Sequence, residues 1–268
     1  RQGIYDSLDI KIDFITYASA TDRDAAFLSG KLDGMLTDYP GATLLQAKGS
    51  RLRLVMETDG SLSLIASKKS NVRNPDDLKG KNISVSGNTF VEYATDEVMK
   101  RACLHPGEVN KPEINNIPLR LMMLEDGQIS ASFLPGPATA IALNNGHTAL
   151  LNTRQMGLRC TGIVFSEKAI TEKDEEIRRF ITGYNLGVKY LQTRPQNEWT
   201  EILVKEFGLQ EKAAMQIDLP DYRPATRPSY HDIEKIIAWL KSKGAIPDYY
   251  PGENLVDTTF IPGTLKPQ

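Results

Sequence analysis

Ser86-Gly87-Asn88-Thr89 lies between an alternating run that begins at Ile83 and a segment of helical spacing that begins at Phe90. Strand, glycine turn, helix is an order that can aim backbone N–H groups at an anion, because the first N–H groups of a helix have no partner inside it. Gly87 lets the backbone approach a ligand, and the polar side chains beside it line the turn. Such a turn suits a carboxylate, sulfonate, phosphate or carbonyl oxygen. The same stretch also reads as a capped helix, with Thr89 accepting an N–H of the first turn and Glu92 reaching back. Both readings stand for Thr89, whereas capping leaves Ser86, Gly87 and Asn88 unexplained.

Two more strand-to-helix turns carry usable chemistry. Asp38 either caps the helix after Pro40 or offers a carboxylate to an amine, an amidine-like ring edge or hydroxyls. Tyr39 offers a ring for stacking or fills the core. Pro135-Gly136-Pro137 is a rigid turn with exposed backbone, or simply the stop of a strand. His105, His147 and His231 are scattered, and Cys103 and Cys160 have no metal-ligand spacing, so neither metal nor cofactor is expected. Both thiols are read as free and buried. No HExxH, Walker loop or GxGxxG occurs.

The elements that must position these turns alternate. Strands are expected over 10–17, 34–37, 52–56, 61–67, 83–86, 128–134, 147–151 and 162–165. Helices are expected from Thr21 as cap to about 29, then over 41–47, from 90 with Val91, Ala94, Val98 and Ala102 on one face, through Leu124, and over 138–143. The later half is mainly helical, over 175–192, 196–207, 211–217 and 229–243. This pattern predicts an α/β architecture with mostly parallel sheets. The helical later part must cover something already built, so the chain is expected to leave one lobe, form a second and return. Ligands of such folds bind beyond the carboxyl ends of the strands, where the three turns lie.

With 268 residues the chain can bury two cores. A net charge of −2 without a basic tract argues against a nucleic-acid partner. The apolar runs are too short to span a bilayer, and no cleavable apolar region follows Arg1.

The stretches "ATDRDAAFLSGKLDGMLTDYPGA", "VMETDGSLSLIASKKSNVRNPDDLKGKNISVSGNTFVEYATDEVM" and "INNIPLRLMMLEDGQISASFLPGPATAIAL" together resemble the substrate-binding components of bacterial ABC importers, in the SsuA/ThiY/NMT1-like group. The resemblance runs from about Ile4 to Val256-Asp257. It implies the two-lobe type II periplasmic-binding-protein fold, each lobe a mixed, mostly parallel sheet flanked by helices. Lobe one would hold 1–66 and 161–268, and lobe two 67–160, with crossings near Asp59 to Ala66 and Thr161 to Phe165. The cleft would be lined by Asp38, Tyr39, Thr58, Asp59, Ser86, Gly87, Asn88, Thr89, Pro135, Gly136 and Thr161.

Two departures stand out. Against the resemblance, the strand and helix expected to open lobe one are not seen ahead of "RQGIYDSLDIKIDF", so that the lobe is expected without its first strand, and "LPGPA" lacks the acid and aromatic expected around its prolines. The implied function is non-catalytic. A small polar solute (a sulfonate, a thiamine pyrimidine or similar) is trapped between the lobes and delivered to a membrane permease. The protein is expected to be monomeric, and periplasmic or lipid-anchored to the outer face of the cytoplasmic membrane. The alternatives are a pyrimidine-synthesis enzyme of the NMT1-like kind, which uses a lysine-bound pyridoxal cofactor, and a degenerate sensor or partner-binding module.

Overall fold

The computed structural model describes residues 3–215, 217 and 221–261. In chain order α1 (Ala20–Leu28), β1 (Gly34–Asp38), α2 (Tyr39–Ala47) and β2 (Leu52–Thr58) come first. They are followed by β3 (Leu62–Ala66), β4 (Ile83–Ser84), α3 (Phe90–Arg101), α4 (Ile117–Asp126), β5 (Ala131–Pro135), α5 (Gly136–Asn144) and β6 (Thr148–Asn152). Then come β7 (Thr161–Ser166), α6 (Glu167–Glu172), α7 (Asp174–Thr193), α8 (Gln196–Phe207), α9 (Glu211–Met215) and α10 (Tyr230–Ser242).

The chain divides into two compact units. The first comprises Arg1–Asp59, Cys160–Arg194 and Asp221–Gln268, the second Gly60–Arg159 and Pro195–Pro220. This differs from the expected division for 195–220, which was assigned to the first lobe. The reason is apolar: Leu209, Ala214 and Ile217 bury themselves against Ala140 of α5, so α8 and α9 pack with the second unit.

Unit one is built on a sheet ordered β1-β7-β2. Both pairs are antiparallel, yet β1 and β2 point the same way, because each runs against β7. Unit two repeats the device: in the order β4-β5-β3-β6, β4 and β5 pair in parallel while β3 runs against β5 and β6. The expectation of mostly parallel sheets therefore holds for strand direction and fails for pairing. In each sheet one strand from a distant stretch inserts between strands that helices connect.

Local chemistry sets the element ends. Ser19, not Thr21, caps α1, its extended backbone letting the hydroxyl accept the Asp22 N–H at 3.1 Å. Asn116 caps α4, with Pro118 in its first turn, and Gly127 ends it at φ 76°. Gly162 in β7 lies so close to β2 that a Cβ there would sit 2.6 Å from both Leu54 and the Met56 carbonyl. Beyond β2, backbone bonds reach Leu255, Asp257 and Thr226, so late parts of the chain cover its outer side.

The expected strand over 10–17 does not form: these residues carry no ladder, and Phe14 is 72% exposed. Alternation alone cannot make a strand without a neighbour for its N–H and C=O groups. The N-terminal stretch is held by Tyr5 instead, whose ring stacks on Phe180 at 5.9 Å and lies over Gly183. Smaller differences are that Ile217 is not helical, residue 216 of the expected helix lying outside the described residues, and that β4 stops at Ser84.

Candidate functional site

In unit one the sheet register aligns three of the expected residues. Asp38 at the end of β1 pairs with Thr161 at the start of β7, which pairs with Thr58 at the end of β2. These positions form one row at the carboxyl ends of β1 and β2, the end at which open α/β sheets bind ligands. Asp38 Oδ1 accepts the Gly41 N–H at 2.7 Å, so its cap is real and one carboxylate oxygen is engaged by it. The Thr58 hydroxyl donates to Thr161 Oγ1 at 2.9 Å, and the Thr161 hydroxyl donates to the Thr58 carbonyl at 3.0 Å.

Behind this row lies a charged network in which the sequence nominated Tyr39 and Asp59 but missed Glu57 and Arg223. Glu57, 6% exposed, accepts from the Tyr39 hydroxyl at 3.1 Å and from Arg223 Nη2 at 2.8 Å. Asp59 accepts both the Arg223 backbone N–H and Nε–H at 2.8 Å. Burial works against the Arg223 charge, but the bonds to Glu57 and Asp59 outweigh it and raise the guanidinium pKa. The Tyr39 ring is wholly buried, so it is core rather than a stacking platform. Burial first, then the Glu57 charge, pushes its hydroxyl pKa far above the ordinary tyrosine range. Burial also pushes Tyr184 up to about 12, and among the described residues its hydroxyl has no partner. Cys160 is buried and its thiol pKa is raised by that burial, while Cys103 is exposed, contrary to expectation. The signal that could have found the network was an acid inside the apolar run Leu52–Thr58.

In unit two the parallel pairing of β4 with β5 brings the Ser86–Thr89 turn and Pro135-Gly136 to the same end of the sheet. The turn is already well bonded. The Asn88 N–H goes to Glu92 at 2.7 Å, Thr89 N–H to the Ser86 carbonyl at 3.3 Å, and Val91 N–H to the Thr89 hydroxyl at 3.2 Å. The capping box is thus shifted by one residue, because Glu92 reaches past Thr89 to Asn88. The Ser86 hydroxyl donates to Asn115 at 2.8 Å. The Glu113 carboxylate lies against Gly87, where a Cβ would come within 2.8 Å of it and displace that exposed side chain. That carboxylate and these internal bonds make the turn a poor anion cradle, and its glycine accommodates a side chain of the protein itself. Gly136 has open space around it. A surface hollow of about 670 Å³ lies at the opposite end of β4 and β5, beside Asn82, Asn110 and Gln128. It holds none of the expected residues.

Among the described residues no cluster of three or more histidine, cysteine or carboxylate side chains could hold a metal ion. No helix among them is long and apolar enough to cross a membrane.

Residues 1–198 match the NMT1/THI5-like family. No curated protein sequence matches. The ligand-binding component of an ABC-type import system from Staphylococcus aureus, solved with zinc bound, superposes with a TM-score of 0.78 at 14% identity. It covers 97% of this chain and 92% of its own. The alkanesulfonate-binding protein SsuA from Xanthomonas axonopodis pv. citri, bound to MOPS, superposes at 0.77 with 17% identity, covering 92% of this chain and 88% of its own. The desulfurization enzyme DSZB also shares the fold, with a TM-score of 0.68 and 12% identity over 96% of this chain and 91% of its own. These likenesses show the two-unit periplasmic-binding-protein fold; the same fold carries binders and an enzyme.

Proposed function

Because this chain belongs to the NMT1/THI5-like family, we propose that it is the solute-binding component of an ABC importer. It takes up a small polar organic molecule and hands it to a membrane permease, acting as a monomer outside the cytoplasmic membrane. The observation that carries the reading is the aligned row Asp38, Thr161 and Thr58, three polar residues from distant stretches held at the ligand-binding end of one sheet. Binding proteins among the structural relatives support it. In this reading Asp38, Thr58, Asp59 and Thr161 contribute the contacts of unit one. Ser86, Asn88, Thr89, Pro135 and Gly136 border those of unit two. Tyr39 and Gly87 act behind them, the first by packing and the second by making room for Glu113.

Native mass spectrometry of freshly purified protein, followed by a thermal-shift panel of sulfonates, thiamine pyrimidines, amino acids and nitrate, tests the proposal. A retained or stabilising solute whose effect is lost in Asp38→Ala supports it. Turnover of a solute, or a coloured lysine-bound cofactor, would move the protein to the enzyme alternative.

A further inference from the structure

Arg120 lies in the first turn of α4 and is 2% exposed. Of its five N–H donors, one bond is made, from Nη1 to the Phe133 carbonyl at 3.1 Å. Among the described residues its Nε is buried without a partner, and no carboxylate pairs with the guanidinium. Burial alone pushes its pKa down to about 10. The first turn of α4 carries no acid, and neither does that of α5, which also lacks a side-chain cap. α5 begins at Gly136, three residues beyond Phe133 and about 10 Å along the extended strand.

A second buried polar group without a partner lies close by. Ser84 is fully buried, and among the described residues its hydroxyl has no partner. It pairs in register with Ser132, whose hydroxyl donates to the Ser84 carbonyl at 3.2 Å and approaches the same Phe133 carbonyl that Arg120 uses, at 3.4 Å. Ser132 and Arg120 thus meet at the Phe133 carbonyl, in the middle of β5, with Ser84 beside Ser132 on the paired strand β4. Buried charges in proteins are paired or ligand-bound, because an unpaired one is costly.

We propose that Arg120, with the Ser84 hydroxyl, is the subsite of unit two that recognises an oxyanion, so that the solute is a small organic anion bearing a carboxylate, sulfonate or phosphonate group. The inference rests on the solute-binding reading and narrows its substrate class. Arg120 is tethered by one neutral carbonyl, so taking up an oxyanion exchanges that bond for charge-assisted ones, the stronger kind. The uncrowded backbone at Gly136 leaves the carboxyl end of β5 open to an approaching group. The anion-binding element of this unit is then a side chain beneath the strand ends, not the Ser86–Thr89 turn.

Calorimetry and thermal shift with methanesulfonate, acetate and methylphosphonate, against neutral dimethyl sulfone at matched sodium chloride, test the inference. At least one anion is expected to bind and raise Tm while dimethyl sulfone does not, and Arg120→Met is expected to weaken that anion at least tenfold. Arg120→Met without ligand should melt at or above the wild-type temperature, since it replaces an unpaired buried charge by an apolar chain; a large fall would mark Arg120 as structural and overturn the inference. Should that variant not fold, Arg120→Lys and Ser84→Ala carry the test, each expected to weaken the anion at least threefold, and unchanged binding in both overturns it. Binding of a neutral solute with no response to any anion overturns this inference and leaves the solute-binding reading standing. Silence of all four compounds overturns this inference, whereas the solute-binding reading falls only if the wider panel of sulfonates, thiamine pyrimidines, amino acids and nitrate is silent too.

Discussion

Arg223 grips Asp59 with its backbone N–H and its Nε–H at once, each 2.8 Å from a carboxylate oxygen, although 164 residues separate the two. The same guanidinium reaches Glu57 at 2.8 Å, so one cation holds two nearly buried acids at the end of β2. Removing it would leave both carboxylates in a low-dielectric setting without their cation. Arg223→Met is expected to lower stability by about 2 kcal/mol, less than a fully buried pair would lose because the guanidinium is partly exposed. Urea denaturation at pH 7 measures it, and a loss below the error of the fit would show that the grip contributes nothing net.

Asp38 caps α2 and is also a proposed ligand contact, and two variants separate the roles. Asp38→Asn keeps an oxygen for the Gly41 N–H and should leave Tm nearly unchanged, whereas Asp38→Ala should cost about 1 kcal/mol. Solute binding should weaken in both if the charge matters. If Asp38→Asn binds a stabilising solute as wild type does, the carboxylate is only a cap.

Burial raises the pKa of Tyr5, Tyr184 and Tyr250 from 10.0 to about 12, and that of Tyr39 further. The unfolded chain ionises these tyrosines near pH 10 while the folded protein keeps them neutral. Their stabilising effect is complete below pH 10 and shrinks as pH rises from 10 towards 12. The urea midpoint should therefore fall steeply above pH 10, and tyrosinate absorbance should appear together with unfolding. Tyrosinate that develops at pH 10 in a fully folded protein would contradict the burial described.

The two thiols should differ in reactivity. Cys103 is exposed and Cys160 is buried with a raised pKa, and only the thiolate is the nucleophile. Iodoacetamide at pH 8 is expected to modify Cys103 alone, with Cys160 reacting only in denaturant. Peptide mapping decides the matter; modification of Cys160 in the native protein would place it elsewhere than in the core.

Gly162 admits no side chain without displacing β2, since a Cβ would sit 2.6 Å from a backbone oxygen as well as from Leu54. Gly162→Ala should destabilise unit one by about 3 kcal/mol, the upper end for overpacking. Near-normal Tm in that variant would mean that the strands can separate at little cost.

The legible part of this molecule was local. Helix caps, the Asp38 turn and most strand positions follow from side chains within a few residues of one another, and they stand where the pattern puts them, with Ser19 instead of Thr21 as a minor shift. The run 10–17 shows the limit: its alternation satisfies the strand pattern, but a strand exists only with a neighbour, and no neighbouring ladder forms among the described residues. Pairing was illegible for the same reason, since β7 inserts between β1 and β2 from more than a hundred residues away. Of the site, Asp38, Thr58 and Thr161 could be nominated singly, but their alignment in one row is a property of that insertion. Glu57 and Arg120 each stood in view as a charge inside an apolar run; neither could be interpreted without knowing that one has Arg223 as a partner and that the other meets no carboxylate among the described residues.

The insertion of β7 also dictates an order of assembly. The sheet of unit one cannot close until Thr161–Ser166 has been made, and its far side waits longer still, for Arg223 and Leu255. Most of unit two, by contrast, is one uninterrupted stretch from Gly60 to Arg159. A chain emerging from its amino end therefore carries its first 59 residues as an incomplete half-sheet while the middle consolidates. During that interval the apolar faces of β1 and β2 lack the strand that will join them, and they are the surfaces a chaperone would have to shield.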